Sequence, residues 1–499
     1  MSRMTRRRFL GSCAAGAALV ALPLPLAGEV SEATLASDPM RPQFHLLPAR
    51  NWMNDPNGPI YINGQYHMFF QYNPQGATWG NMSWNHAVSQ DMVHWRHLPL
   101  AMMPTAGGDD SYGVFSGSAI AVGKRVYAVY TGTKQGPSAL ATIAGDPHNV
   151  QESQCLAWSD DLQLLHWTKA SAPIVPLPPP GMKITGFRDP SAWKQGDWYY
   201  MTVGAGEAKV GGCVLLYRSK DLHQWEYLHK LTSGGWNGKW TPNPCDDGEM
   251  WECPELFPLD GAHVLIYSTL GKVYWQSGVL DETAMLFHPK KTGRLDFDSF
   301  YAPKTQLDAH GRRILWGWIQ ERRSEDAMRA AGWSGMMSLP RVLNLDADGT
   351  LRMTIAEQVK ALRDTSLPTQ ESRAGVLKVL PHATGEVLCR GEQGRSFTTQ
   401  FSMNHEPLLN IEYASERHSF VVGAQEIALQ PGDAPTVHAY VDGSVLEVIL
   451  GERIGCTKRF YYTTQVAPDI EVLTTGLGAI TMHAWSIKPI SPNRMTTPA

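Results

Sequence analysis

SQDMVHW (residues 89–95) places a Trp a few residues after Ser-x-Asp, and the pattern returns twice, as SDDLQLLHW (residues 159–167) and SKDLHQW (residues 219–225). Each copy follows a strand-like apolar run, such as CLAW or CVLLY. A second pattern recurs alongside it. Aromatic and β-branched runs stand at YHMFFQY from Tyr66, RVYAVYTG from Arg125, DWYYMTVG from Asp197, HVLIYS from His263 and RRILWGWI from Arg312. A strand unit repeating every 50 to 70 residues or so, with Gly or Asn nearby, predicts an all-β fold that opens with a five-bladed β-propeller.

The character of the chain changes after Leu343. IAEQVKALR (residues 355–363) predicts a short helix with Ile355, Val359 and Leu362 on one face. Alternating strands follow, among them TVHAYVDGSVLEVIL around an Asp442-Gly443 hairpin turn. The expected organisation is a propeller over residues 37–345, a linker with the short helix over 346–363, and a C-terminal β-sandwich over 364–499. The sandwich reads either as a polymer-binding module or as a cover over an apolar flank of the propeller, the second being favoured, with Asp442 and Glu447 as turn and surface residues.

Composition narrows the function. The chain has 499 residues, with 43 basic against 47 acidic, so charge gives no case for nucleic acid or an anionic membrane as partner. The first residues, MSRMTRRRFLGSC, place a basic stretch before an apolar run that ends near Leu26. This reads as a secretory signal over residues 1–36, cleaved between residues 27 and 36, with no membrane anchor. The segment from Thr5 to Leu10 resembles the twin-arginine export motif, which implies a periplasmic or extracellular protein. Cys155, Cys213, Cys245, Cys253, Cys389 and Cys456 remain. They are too sparse for a disulfide scaffold, and neither they nor His86, His94 and His97 have metal-ligand spacing, so no metal or cofactor is expected.

Three acids stand out by their setting: Asp55 in NDPNG, Asp189 in GFRDP and Glu252 in MWECPELF. Each lies beside proline and near Trp or Phe. NDPNG alone reads as a turn. An acid in a weakly solvated aromatic setting is suited to general acid catalysis, and aromatic faces suit sugar rings.

Taken in order, NWMNDPNG, FSGSA (residues 115–119), FRDP (187–190) and WECPELF (251–257) resemble the signature blocks of glycoside hydrolase family 32, which holds invertases, inulinases, levanases and related fructosyltransferases. QYNP, FYAPKT, RRILWGW, GWSGMMSLPR and DGSVLEV extend the resemblance over about residues 42–488. It implies a propeller followed by a sandwich, and a retaining mechanism acting on β-fructofuranosides. Asp55 would be the nucleophile, Glu252 the general acid and then base, and Asp189 the residue that binds fructose hydroxyls. The two working carboxyls of such an enzyme stand about 5–5.5 Å apart. Asn54, Gln71, Trp79, Phe115, Ser116, Arg188 and Trp333 fall where the family lines its terminal fructose subsite. Arg188 reads either as a substrate ligand or as a structural ion-pair partner.

The sequence departs from the family at Asn85, Ser191 and Glu255, and none of these removes a catalytic carboxylate. The expected activity is release of terminal fructose from levan, inulin or sucrose by a monomer or homodimer. A fructosyltransferase is the alternative within the same chemistry. A non-catalytic sugar-binding propeller and an arabinan or xylan hydrolase fit the motifs less well.

Overall fold

The computed structural model describes residues 29–372 and 375–495. The twin-arginine segment therefore lies outside the described residues. Among the described residues no helix is long and apolar enough to cross a membrane.

Up to Ile355 the chain forms five successive antiparallel sheets of four main strands each. Every one of the five aromatic runs is the second strand of its sheet: Gln65–Asn73, Arg125–Gln135, Trp198–Glu207, Ala262–Thr269 and Arg313–Ile319. The first strands are Asn51–Ile62, Gly113–Val122, Ile184–Gln195, Glu252–Leu259 and Phe300–Leu307. Each touches the next, and the last touches the first, so the five inner strands form a closed ring. A short strand between the second and third strands of the fifth sheet, Trp333–Ser334, pairs in parallel with the start of Asn51–Ile62 and seals that ring.

The repeated SxD…W motif is the turn between third and fourth strands. In the first copy Ser89 Oγ donates to Asp91 Oδ1 at 3.0 Å, and Trp95 Nε1 donates to the Met92 carbonyl at 3.1 Å. The tryptophans of the other copies, Trp167 and Trp225, donate in the same way to Leu164 and Leu222. Met92, Leu164 and Leu222 have φ of 67°, 56° and 67°, a conformation that only a well-supported turn holds for a large side chain. The fourth sheet has the same turn in a disguised form: Asp281 Oδ1 accepts from the backbone N–H groups of Thr283 and Ala284, and Met285 takes φ 54°. It lacks the serine and the tryptophan, which hides it in the sequence.

Two expected boundaries move. Leu351–Ile355 pairs with Arg341–Leu345, so the fifth sheet continues ten residues past residue 345. The expected helix shrinks to Glu357–Lys360, because Ile355 ends a strand, although Ile355, Val359 and Leu362 are all buried. At the other end, the helix Glu32–Ser37, assigned above to the signal, is capped by Ser31 and buries Leu35 against the fold.

The C-terminal region is two packed sheets around a core that includes Phe401, Tyr413, Val448 and Met482. Its strand Ile454–Arg459 pairs in parallel with Leu286–Asp298, so one sandwich sheet continues the fourth sheet. Tyr440, Ile449, Ile487 and Ile490 join the apolar core beneath the first region.

Asp442 and Glu447 are not surface residues. Both are buried. The backbone N–H groups of Gln43, Phe44 and His45 donate to the Asp442 carboxylate, and the His45 ring bridges Asp442 and Glu447 at 2.8 Å each. Arg341 closes the cluster against Glu447 and Asp296. The hairpin at Asp442-Gly443 forms as expected, but its acid is turned inward to a segment some 400 residues earlier in the chain.

Candidate active site

All five inner strands slip register at one level. The slips fall between Met53 and Pro56, Val114 and Gly117, Arg188 and Ser191, Glu252 and Glu255, and Tyr301 and Lys304. Such bulges re-aim side chains and end regular pairing. Three of them contain a residue-proline pair whose first member has positive φ: Asp189 at 64°, Cys253 at 51° and Ala302 at 51°. Proline has no N–H for the ladder, so the strand bulges where RDP, ECP and YAP stand. NDPNG is likewise a twice-bulged strand rather than a turn. Gly58 is required there: its φ is 51°, and a Cβ would sit 2.4 Å from the backbone nitrogen of Ala119 on the next inner strand.

The bulges gather Asp55, Ser116, Asp189, Glu252 and Tyr301. Asp55 is 1% exposed, and its Oδ1 accepts from Asn54 Nδ2 at 3.0 Å and its Oδ2 from Ser116 Oγ at 2.6 Å. Glu252 is also 1% exposed. Its Oε1 accepts from Arg188 Nε and a terminal Arg188 nitrogen at 3.0 and 2.9 Å, and its Oε2 from the Tyr301 hydroxyl at 2.8 Å. Asp189 Oδ2 accepts from the Cys253 N–H at 3.0 Å. The Cys253 thiol lies 3.4 Å from that oxygen and 3.8 Å from Asp55 Oδ2, so it bridges two of the acids. Burial, and then the charges of Asp189 and Asp55, push this thiol well above the ordinary cysteine range. It is a poor nucleophile.

Arg188 stands at the cavity and in an ion-pair network at once. It lines the cavity, and it is also buried between Glu252 and Glu152, 2.8 Å from Glu152 Oε1. Burial opposes its charge, but the two glutamates outweigh burial and hold the guanidinium well above its ordinary value. Glu152 also accepts from the Phe187 N–H and from Thr142 Oγ1. Sequence reasoning missed both Glu152 and Tyr301. Tyr301 sits in the FYAPKT block, and its place in the shared bulge pattern was the available signal.

A cavity opens above these acids. Asn54, Gln71, Trp79, Phe115, Ser116 and Arg188 line it together with Asp189, while Asp55 and Glu252 lie one side chain beneath. Trp333 corrects the expectation. Its ring is fully buried outside the cavity, donates to Asp38 Oδ2 at 2.7 Å and is covered by Arg41 and Arg323. The strand Trp333–Ser334 joins the inner ring through its backbone and turns the indole away. Tyr112, Ile143, Asp146 and Asn243 line the cavity as well, all from loops without a distinctive motif.

A family model described as the glycosyl hydrolases family 32 N-terminal domain matches residues 45–354. The chain belongs to glycoside hydrolase family 32. A sucrose-6-phosphate hydrolase of Escherichia coli is 32% identical over 82% of this chain and 87% of its own length. An acid beta-fructofuranosidase of Vigna radiata is 37% identical over 65% of this chain, which spans about half (51%) of that protein. Among solved structures, a Bombyx mori family 32 beta-fructofuranosidase superposes with a TM-score of 0.78 at 27% identity, over 92% of this chain and 97% of that one. Fructan 1-exohydrolase IIa of Cichorium intybus gives a TM-score of 0.72 at 25% identity, over 90% of this chain and 98% of that one. Family membership makes the protein a glycosidase that hydrolyses fructosides.

Proposed function

We propose that the protein is an exported, retaining exo-fructosidase that releases terminal β-D-fructofuranosyl units from sucrose and fructans. The five sheets around one ring of inner strands read as five propeller blades, and the acids sit where those strands bulge. The observation that carries the reading is the pairing of two buried carboxyls with different partners in one site: Asp55 with Asn54 and Ser116, Glu252 with Arg188 and Tyr301.

In this mechanism Asp55 attacks the anomeric carbon as the bond to the leaving oxygen breaks, and Glu252 gives that oxygen its proton. Water then attacks the fructosyl–Asp55 ester while Glu252 takes a proton from the water. Asp189, with its second contact to Cys253, binds fructose hydroxyls. The Asn54 and Ser116 donors orient Asp55 for attack.

Trp240 supports action on longer chains. It is 74% exposed two residues before the cavity-lining segment 242–244, and an exposed aromatic face is the group that would stack on a sugar beyond the leaving group. Export is supported by the twin-arginine resemblance. The burial of Leu35 favours cleavage N-terminal to Ser31.

Early-time NMR of the fructose released from sucrose tests the stereochemistry. Retention gives β-fructofuranose first, and α-fructofuranose appearing first would overturn the nucleophile assigned to Asp55.

A further inference from the structure

The cavity has two sides. On one, Asn54 and Ser116, both hydrogen-bonded to Asp55, line it together with Gln71, Trp79 and Phe115. The other side belongs to Glu252. There Arg188 is held between Glu252 and Glu152, and Glu152 in turn is held by Thr142, at the start of the loop that carries Ile143 and Asp146 into the cavity. The segment 242–244, shortly before Glu252, completes that side. The leaving group of a glycosidase departs toward its acid. Under the reading of Asp55 and Glu252 proposed above, on which this inference rests, Asp146 therefore faces the leaving group.

Asp146 is only 8% exposed. Its Oδ1 accepts from the His148 N–H at 2.9 Å, and its buried Oδ2 has no hydrogen-bond partner among the described residues. The loop is tied down at both ends: Thr142 and Ile143 donate to the Val150 carbonyl, and Ala144 to the Thr185 carbonyl. A buried carboxylate oxygen without a donor calls for one. Carboxylate oxygens only accept, so the matching ligand group is a hydroxyl, which donates. A phosphate dianion has no proton to offer and brings like charge.

The charge of the cavity points the same way. Among the described residues that line it, the only basic side chain is Arg188, and two glutamates already occupy it. Nothing there is placed to receive a phosphate.

We infer that Asp146 is a specificity residue that accepts a hydroxyl of a neutral leaving sugar and excludes substrates phosphorylated on that sugar. This separates the protein in substrate class from the sucrose-6-phosphate hydrolases it resembles.

The test is kcat/KM on sucrose and on sucrose 6-phosphate for the wild type and for Asp146→Asn, which keeps the size and the acceptor for His148 but removes the charge. The wild type should favour sucrose by at least about tenfold, and Asp146→Asn should narrow that ratio by about tenfold, as removal of one nearby charge in a partly buried site allows. Equal or better turnover of the phosphate ester by the wild type would overturn the inference alone, as would a ratio that Asp146→Asn leaves unchanged. Release of fructose from neither substrate would overturn the proposed function and this inference with it.

A second measurement needs no variant. Glucose should inhibit sucrose hydrolysis by the wild type at a concentration at least about tenfold lower than glucose 6-phosphate does, again from the charge of the site. The reverse order would overturn the inference.

Discussion

Tyr301, on the inner strand of the fifth sheet, donates its hydroxyl to Glu252 Oε2 at 2.8 Å and so joins the fifth sheet to the fourth at the acid itself. With Arg188 on the opposite oxygen, the Glu252 carboxyl is fixed from both sides. Tyr301→Phe should lower kcat/KM on sucrose by about tenfold through loss of a hydrogen bond to the carboxylate that Glu252 becomes as it gives up its proton. Glu252→Gln should cost on the order of 10²–10⁴-fold, the range for a general acid. The diagnostic readout is a fructoside with an activated leaving group, on which both losses should shrink because its departure needs little protonation. Equal losses on both substrates would count against Glu252 as the acid.

Cys253 is close to two acids, yet it is buried and held protonated. Iodoacetamide should leave the activity of the native enzyme intact, and Cys253→Ser should keep the fold and part of the rate. Stoichiometric inactivation with label on Cys253 would contradict this.

The cluster that joins the sandwich to the first region predicts a dependence of stability on pH. Burial alone would lower the His45 imidazolium, but its hydrogen bonds to Asp442 and Glu447 override burial and push it up to about 9 from 6.5. A raised folded-state value means the stabilisation is full below about 6.5 and is lost as pH rises through about 9. The difference amounts to roughly 3 kcal/mol. The melting temperature should fall between pH 7 and 10, and His45→Gln should be less stable at pH 6.5 and flatten the dependence. An identical pH dependence in the variant would refute the assignment.

Arg341 lies in the same cluster between Asp296 and Glu447. Removing one member leaves buried charge unpaired, so Arg341→Met should cost about 3–5 kcal/mol in denaturant unfolding. A loss under 1 kcal/mol, within the range of exposed ion pairs, would show that the cluster carries little stability.

Trp240→Ala should reduce kcat/KM on inulin or levan by about fivefold, from loss of an aromatic contact of about 1 kcal/mol, with a smaller effect on sucrose. Equal effects on polymer and sucrose would remove Trp240 from polymer binding.

Local patterns carried most of what was legible beforehand. The aromatic runs mark second strands because those strands are buried on both faces, and the SxD…W turn is readable because all its hydrogen bonds lie within a few residues. The three acids were legible through the prolines that make their strands bulge. The misread residues depend on partners far away in the chain. Asp442 reads as a turn acid until residues 43–45 arrive to meet it, and Trp333 reads as a sugar platform until Arg41 and Asp38 cover it. Glu152 lies in a plain strand, and its role comes from Thr142, Phe187 and Arg188, 10 to 36 residues away in the chain.

The central claim is that Asp55 forms the bond to fructose. Fructose release from sucrose, inulin and levan should be measured for the purified wild type and for Asp55→Ala, with matched melting temperatures to verify folding. The expected result is release by the wild type and a loss of at least about 10⁴-fold in the variant, the scale seen when a nucleophile is removed. A variant within tenfold of the wild type, or a wild type that releases no fructose from any of the three, would contradict it.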